Sequence, residues 1–426
     1  MRLFTFIKEK AIGYIARTSI IDIGCWSNKM KVTIRNFRGI RKLEIEILDG
    51  ITVIIGKNDS GKSSILEAIY LGLTAFNGFR GSFIEYMSPA YLLMRRNTRI
   101  NSLIFYGEQV GEISITINEQ KFDIRISPEI DKLALDIKFR NELARKIEEL
   151  SSKSMEAMRG YNAMLRLFAN IFQAALTAET EGAYPIPRTF TPFTEIPPKL
   201  QKMFGTFSSR GEIYSYFILY TIDSYPMMAI EVKRKSDLNV NVIFMDFASR
   251  RPIDELNRFL SETIRKGLKD EIVKSMRIGN EQIESIDLAM EDGRVVPLIK
   301  YSWSKGGIPL ELSGDGLKTL LAIELASRVL NKHYVLLEEP ENHMHPKLIS
   351  TLAKLLIEHS ERGVKYVIAT HSIELLKEIL SVARDRNVDV NVYYLERLSS
   401  GDIRITRYEK EVAIIKVVDL EMDLRR

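Results

Sequence analysis

A single cysteine, Cys25, is all that the 426 residues carry, so no disulfide can close within the chain and no cysteine cage can hold zinc. Long apolar runs are also missing: none reaches the roughly eighteen residues that a membrane-spanning helix needs. The opening MRLFTFIKEKAIGYIARTSII is broken by Lys8, Glu9, Lys10 and Arg17 before a signal-peptide core can accumulate. A cytoplasmic chain with no membrane partner is therefore expected. Glutamine is scarce, with positions 109, 120, 173, 201 and 282 only, while charged residues are plentiful, a tilt found in hyperthermophile proteins. Internal repeats and low-complexity tracts are absent as well.

What is present is an ordinary globular composition. With 45% hydrophobic and 27% charged residues, the chain can bury a sizeable core and form two or three lobes. A formal net charge of +5 permits a polyanionic partner without requiring one.

Regular structure is expected to begin at Met30, leaving residues 1–29 as an N-terminal extension or the product of an upstream start codon. MKVTIRNFRGI, RKLEIEILDG and ITVIIG read as three strands separated by turns at Gly39 and Asp49-Gly50. Alternation in GEISITI (111–117), KFDIRIS (121–127) and LALDIKF (133–139) predicts an antiparallel meander that completes a first lobe over 30–140. The period then changes. Leu143, Ile147, Leu150, Met155, Met158, Leu165, Phe168 and Phe172 recur at helical spacing, predicting a helical insert from Asn141 to about Glu179. YPIPRTFTPFTEIPP (184–198) holds five of the thirteen prolines and reads as a linker or lid. Strands return at 212–222 and 227–246, closing a segment of 141–245, and a helix is expected from Pro252 to Met276 at the start of a second lobe, 246–426.

The sharpest signal is VIIGKNDSGKSS (53–64), in which Gly56 to Ser63 fits the phosphate-binding pattern GxxxxGK[ST] between an apolar strand and a helix-like run. Glycines at 56 and 61 let the backbone turn its N–H groups toward phosphate oxygens, and Lys62 adds a point charge. The hydroxyl of Ser63 is suited to Mg²⁺.

LLEEPENHMHP (336–346) packs three glutamates and two histidines behind another apolar strand. Beside a phosphate loop, Glu338 at the strand end suits the Mg²⁺ shell, and Glu339 suits polarisation of an attacking water. A metal site on His343, His345 and Glu341 stays open as the alternative, since histidines two apart on extended backbone point the same way.

Two weaker stretches add to these. In LELSGDGLKTLL, Ser313, Gly314 and Gly316 open an amphipathic helix, which alone is a plain cap and turn. In KYVIATHS, an apolar strand ends at Thr370-His371-Ser372, placing an imidazole at the edge where α/β sheets bind ligands.

Taken in order, these five motifs resemble the ABC-type ATPases of the SMC, RecF and OLD (overcoming lysogenization defect) group, over Met30 to about residue 80 and from Asp246 onward. The resemblance implies an α/β P-loop fold of ABC type, with a mixed sheet core, an antiparallel β subdomain and a helical insert. It implies that ATP and Mg²⁺ are cofactors and that two heads dimerise around two ATP molecules. Carried over by position, Gly56, Lys57, Asn58, Asp59, Ser60, Gly61, Lys62, Ser63 and Ser64 form the Walker A loop. Glu338 takes the Walker B aspartate position and holds Mg²⁺ with Ser63, Glu339 is the catalytic base, and Lys62 and His371 act on the phosphates. Ser313, Gly314 and Gly316 form the signature, and His345 occupies the D-loop position. The histidines of the acidic stretch then belong to the dimer interface.

Departures from the pattern stand beside this. Glu338 is one methylene longer than the usual aspartate. A Q-loop glutamine is not identifiable, Gln109 being the only nearby residue. OLD proteins add a Toprim nuclease domain, which this sequence does not contain, so no nuclease activity in cis is expected.

The function implied is an ATP-hydrolysing switch acting on DNA, with MRRNTRI (94–100), VKRK (232–235) and Arg250-Arg251 as basic clusters able to meet phosphates. The other reading is a regulatory or defence module whose ATP state controls a separately encoded nuclease or toxin docked on residues 81–245.

Overall fold

The computed structural model describes residues 29–76, 100–149, 202–222, 225–234, 240, 242–246, 253–291, 294–329 and 334–425. Residues 1–28, most of the helical insert and the proline-rich stretch lie outside them, as do Arg250, Arg251 and all of MRRNTRI except Ile100.

Two sheets position the site. The first is antiparallel, seven strands in the order β2-β1-β4-β5-β6-β7-β8: β1 (Met30–Phe37), β2 (Ile40–Ile47), β4 (Gly111–Ile117), β5 (Gln120–Ser127), β6 (Lys202–Ser209), β7 (Glu212–Ile222) and β8 (Tyr225–Val232). Its alternating residues behave as a half-buried sheet demands: Ile113, Ile115 and Ile117 are buried while the residues between them reach solvent. The second sheet has the order β16-β15-β3-β14-β13-β9. Here β3 (Ile51–Gly56), β9 (Val242–Met245), β13 (Tyr334–Glu338), β14 (Lys365–Thr370) and β15 (Val390–Arg397) run parallel, and β16 (Ile403–Tyr408) lies antiparallel on β15. ITVIIG, VIFM and YVLL are buried at every position, the pattern of strands covered on both faces.

Helix α1 (Lys62–Phe76) passes between the sheets, and Gly72 lets it approach, because a Cβ there would stand 2.0 Å from Ile115 Cδ1. One continuous apolar core joins both sheets through α1. A smaller cluster lies on the far face of β6 and β7, where Phe139, Leu143 and Ile147 of the helical stretch 137–149 meet Phe204, Tyr216 and Ile218.

Three expectations are corrected. LALDIKF is not a strand: Ala134 adopts φ 52°, the Asp136 carboxylate caps Phe139 N–H at 2.8 Å, and a helix begins. The strand that follows β5 is β6, from beyond the insert. The single helix expected from Pro252 to Met276 is two, α2 (Ile253–Arg265) and α3 (Lys269–Gly279), broken where Gly267 takes φ 72°.

Beyond these, the hairpin β10 (Ile283–Glu291) and β11 (Arg294–Tyr301) with the short β12 (Ile308–Pro309) leads into α4 (Asp315–Val329). Helix α5 (Pro346–Glu361) follows β13, and α6 (Ile373–Ala383) follows β14. Among the described residues no helix is long and apolar enough to cross a membrane.

Candidate active site

Three parallel strands deliver the site. β3, β14 and β13 are neighbours, and their C-terminal ends carry Gly56, Thr370 and Glu338, so the phosphate loop, His371 and the paired glutamates share one sheet edge.

The loop is shaped by two positions that only glycine fills well. A Cβ at Gly56 would lie 2.5 Å from the Leu395 carbonyl oxygen, and Gly61 holds φ 96°. Asp59 also takes a left-handed φ of 61°. Lys57, Asn58 and Asp59 are exposed, Ser60 is buried with its hydroxyl free of partners among the described residues, and Ser63 and Ser64 are half-buried in the first turn of α1. Lys62 folds back into its own loop, donating to the carbonyls of Gly56 at 2.8 Å and Lys57 at 2.9 Å. Burial lowers the pKa of this ammonium, and the charges of Glu339, Glu338, Glu341 and Asp59 act against that shift.

Glu338 closes β13 opposite Ala369 of β14. Glu339 is held in a left-handed φ of 45°, with its N–H on the Ala369 carbonyl at 2.8 Å. A non-glycine residue held in this region costs backbone energy that the surrounding structure must offset. Asn342 Nδ2 donates to Glu339 Oε2 at 2.9 Å, and His371 Nδ1 lies 3.1 Å from Glu339 Oε1. His371 is half-exposed, and its carbonyl accepts from Arg425 Nη1 at 2.7 Å, a guanidinium paired in turn with Asp423 at 2.8 Å.

The histidines of the acidic stretch do not converge on a metal. His345 caps α5 by accepting from Lys347 N–H at 3.3 Å, His343 takes φ 64° and faces solvent, and Glu341 turns inward to Thr370. Among the described residues no group of three or more His, Cys, Asp and Glu side chains could hold a metal ion.

The signature residues sit at the start of α4. Gly316 is wedged against the acidic loop, where a Cβ would lie 2.9 Å from the His343 carbonyl oxygen, whereas one at Gly314 would meet nothing within 4 Å. Ser313 Oγ is buried and finds no partner among the described residues. Of the basic cluster 232–235, Lys233 pairs with Glu142 at 2.9 Å and lies 4.2 Å from the Phe139 ring centroid, while Arg234 pairs with Glu212. These two charges are thus already matched by acids of the chain.

One residue escaped the sequence reading. Arg397, at the end of β15, donates to the carbonyls of Asp59 at 2.8 Å, Gly39 at 3.0 Å and Gly401 at 2.8 Å, tying the phosphate loop to the β1–β2 turn. Nothing in the spacing of LERLSSGD advertises this.

The sequence is similar to those of known proteins. Residues 30–184 match the family model described as an AAA ATPase domain, and residues 233–377 match one described as AAA domain, putative AbiEii toxin, Type IV TA system. Uncharacterized protein MJECL10 of Methanocaldococcus jannaschii is 56% identical over 94 residues, 21% of this chain and 42% of that protein. The Retron Vc95 probable ATPase of Vibrio cholerae is 21% identical over 402 residues, 83% of this chain and 73% of its own length. The DNA double-strand break repair Rad50 ATPase of Methanosarcina acetivorans is 58% identical over 40 residues, 9% of this chain and 4% of that protein. With the loop, the acidic strand end and the end of β14 on one edge, and an AAA ATPase domain model and an AAA domain model matching its two halves, the chain is a P-loop ATPase.

Proposed function

We propose that the chain is an ATP-operated switch in which two copies engage head to head around two ATP molecules, with DNA as the load. One observation carries this reading: the turn that opens α4 is uncovered at Gly314, while Ser313 Oγ is buried without a partner among the described residues and Gly316 packs on the acidic loop. No hydrogen bond among the described residues joins Ser313 or Gly314 to the phosphate loop of the same chain, and Gly314 borders open space. A helix start that leaves its own loop alone is suited to the phosphates held by a second copy.

The residues present fit Mg²⁺-ATP. The loop offers a glycine cradle, a buried Ser60 hydroxyl that has no partner among the described residues, and an ammonium parked on carbonyls that it can leave for phosphate oxygens. Ser63 and Glu338 would hold Mg²⁺, which supplies charge neutralisation at the phosphates. Glu339, fixed by Asn342 and His371, takes the proton of the attacking water, and His371 reads the γ-phosphate.

The likeness to a retron ATPase over most of both chains favours a second reading, in which the ATP state controls a separately encoded effector such as a nuclease or toxin. Steady-state ATP hydrolysis with and without double-stranded DNA, alongside a salt titration of DNA binding, separates the two. Stimulation together with salt-sensitive binding supports DNA as the load. Hydrolysis indifferent to DNA, with a protein that stays bound through purification, supports the effector.

A further inference from the structure

The tip of β14 carries Thr370, His371 and Ser372, and the group that fixes this tip comes from the neighbouring strand's loop. We propose that Glu341 is a positioning residue for hydrolysis: through the Thr370 hydroxyl it sets His371 in place against Glu339. The proposal rests on the reading of Glu339 as base and His371 as phosphate sensor.

Glu341 lies just past Pro340 and is only 7% exposed. Thr370 Oγ1 donates to Glu341 Oε1, and the same oxygen accepts the Ser372 N–H at 2.9 Å. A hydroxyl has one proton to give. Spending it on Glu341 leaves the lone pairs for Ser372, so one side chain clamps the acidic loop to the backbone on the far side of His371. Ser372 Oγ then caps α6 by accepting from Leu375 N–H at 3.1 Å, which carries the constraint into a helix. Between these clamps His371 places Nδ1 3.1 Å from Glu339 Oε1 and 4.0 Å from Glu341 Oε1.

A carboxylate is a costly choice for this place. Burial pushes the Glu341 pKa up, Thr370 and His371 act against the shift, and the Glu339 charge adds to it. Its Oε2 is buried and finds no hydrogen-bond partner among the described residues. The strands need no such group, because β13 and β14 are already joined by their parallel ladder. Buried acids kept at this cost are characteristic of functional sites.

The test compares kcat and KM for ATP, with thermal melting, in E341L, E341Q and T370V, using E339Q and H371A as controls. Misplacing a reacting group by about 1 Å costs up to about a hundredfold in rate. E341L and T370V should each lower kcat by at least about tenfold, with KM changed by less than about threefold and the melting temperature moved by a few degrees at most. E341Q, whose amide oxygen still accepts the Thr370 proton, should recover most of that loss. E341L combined with T370V should be no worse than either alone.

The proposal is overturned by an unaltered kcat in E341L or T370V, by a loss confined to KM, by E341Q as poor as E341L, or by additive losses. T370V removes a single hydroxyl and decides the matter if E341L does not fold. Unaltered hydrolysis in both E339Q and H371A would instead overturn the assignments of Glu339 and His371.

Discussion

His371 Nδ1 stands 3.1 Å from one oxygen of Glu339 while Asn342 Nδ2 holds the other at 2.9 Å, so both oxygens of this carboxylate are engaged before any substrate arrives. As the proposed base, a carboxylate fixed this way would lose little entropy in the transition state. Glu339→Gln keeps the size and one accepting oxygen for Asn342, turns the other end into an NH2 donor, and cannot take a proton. Its kcat should fall by about 10²–10⁴ while ATP still binds. Single-turnover hydrolysis beside equilibrium nucleotide binding checks this, and a rate within threefold of wild type would remove Glu339 from the role.

The open space at Gly314 separates folding from assembly. A Cβ there meets nothing within 4 Å, so Gly314→Asp should unfold with a stability within about 0.5 kcal/mol of wild type. In the proposed head-to-head dimer the added carboxylate would nevertheless face the phosphates of the second copy. In the Glu339→Gln background, ATP-dependent dimers should be seen by sedimentation and should vanish when Gly314→Asp is added. Dimers that survive it would show that the signature does not meet nucleotide across the interface.

Gly56 carries the opposite expectation. Its Cβ would lie 2.5 Å from the Leu395 carbonyl oxygen, which belongs to a buried parallel strand and cannot swing aside. Gly56→Ala should cost about 1–3 kcal/mol of stability and weaken ATP binding through the displaced loop. Calorimetric unfolding and nucleotide titration measure both. A stable variant with unaltered affinity would mean that the loop has slack not visible in its packing.

The parts of this site that were legible in the sequence are those whose physics is local. Gly56 and Gly61 announce the phosphate loop because a tight turn beside a strand and a helix needs them at that spacing. The strands carrying Glu338 and Thr370 are legible because burial on both faces demands unbroken apolar runs. Arg397 was not legible, since its contact with Asp59 spans 338 positions and depends on β15 lying beside β3. LALDIKF misled for the opposite reason: its alternation fits a strand, but Asp136 offers a helix cap and a second apolar cluster lies ready to cover Phe139 and Leu143. Likewise β6 joins β5 from beyond the insert, a pairing that no local pattern encodes.

Beneath the site, α4 is tied to its neighbours by a buried charge. Glu324 is fully buried, with His359 Nε2 at 2.8 Å and Arg328 Nε also on its carboxylate, while Arg328 reaches Glu271 and donates to Ser275 Oγ at 3.0 Å. His359 Nδ1 lies 2.9 Å from Tyr366 Oη on β14, so the signature helix and the switch strand share one polar network. Burial alone would raise the Glu324 pKa, but His359 and Arg328 outweigh it and hold the group at about 2, below its ordinary 4.5. A carboxylate depressed on folding contributes stability that is fully present above its unfolded pKa and lost as pH falls through the folded one. The contribution, about 3 kcal/mol, should therefore disappear between pH 4.5 and pH 2. Glu324→Gln removes the buried carboxylate that Arg328 Nε and His359 Nε2 share, leaving Arg328 only its ion pair with Glu271, and should cost about 3–5 kcal/mol at neutral pH. The same substitution should flatten the acid limb of the stability curve over that window. Chemical denaturation at a series of pH values reads both effects, and an acid limb of unchanged slope in the variant would show that Glu324 titrates alike in the folded and unfolded chain.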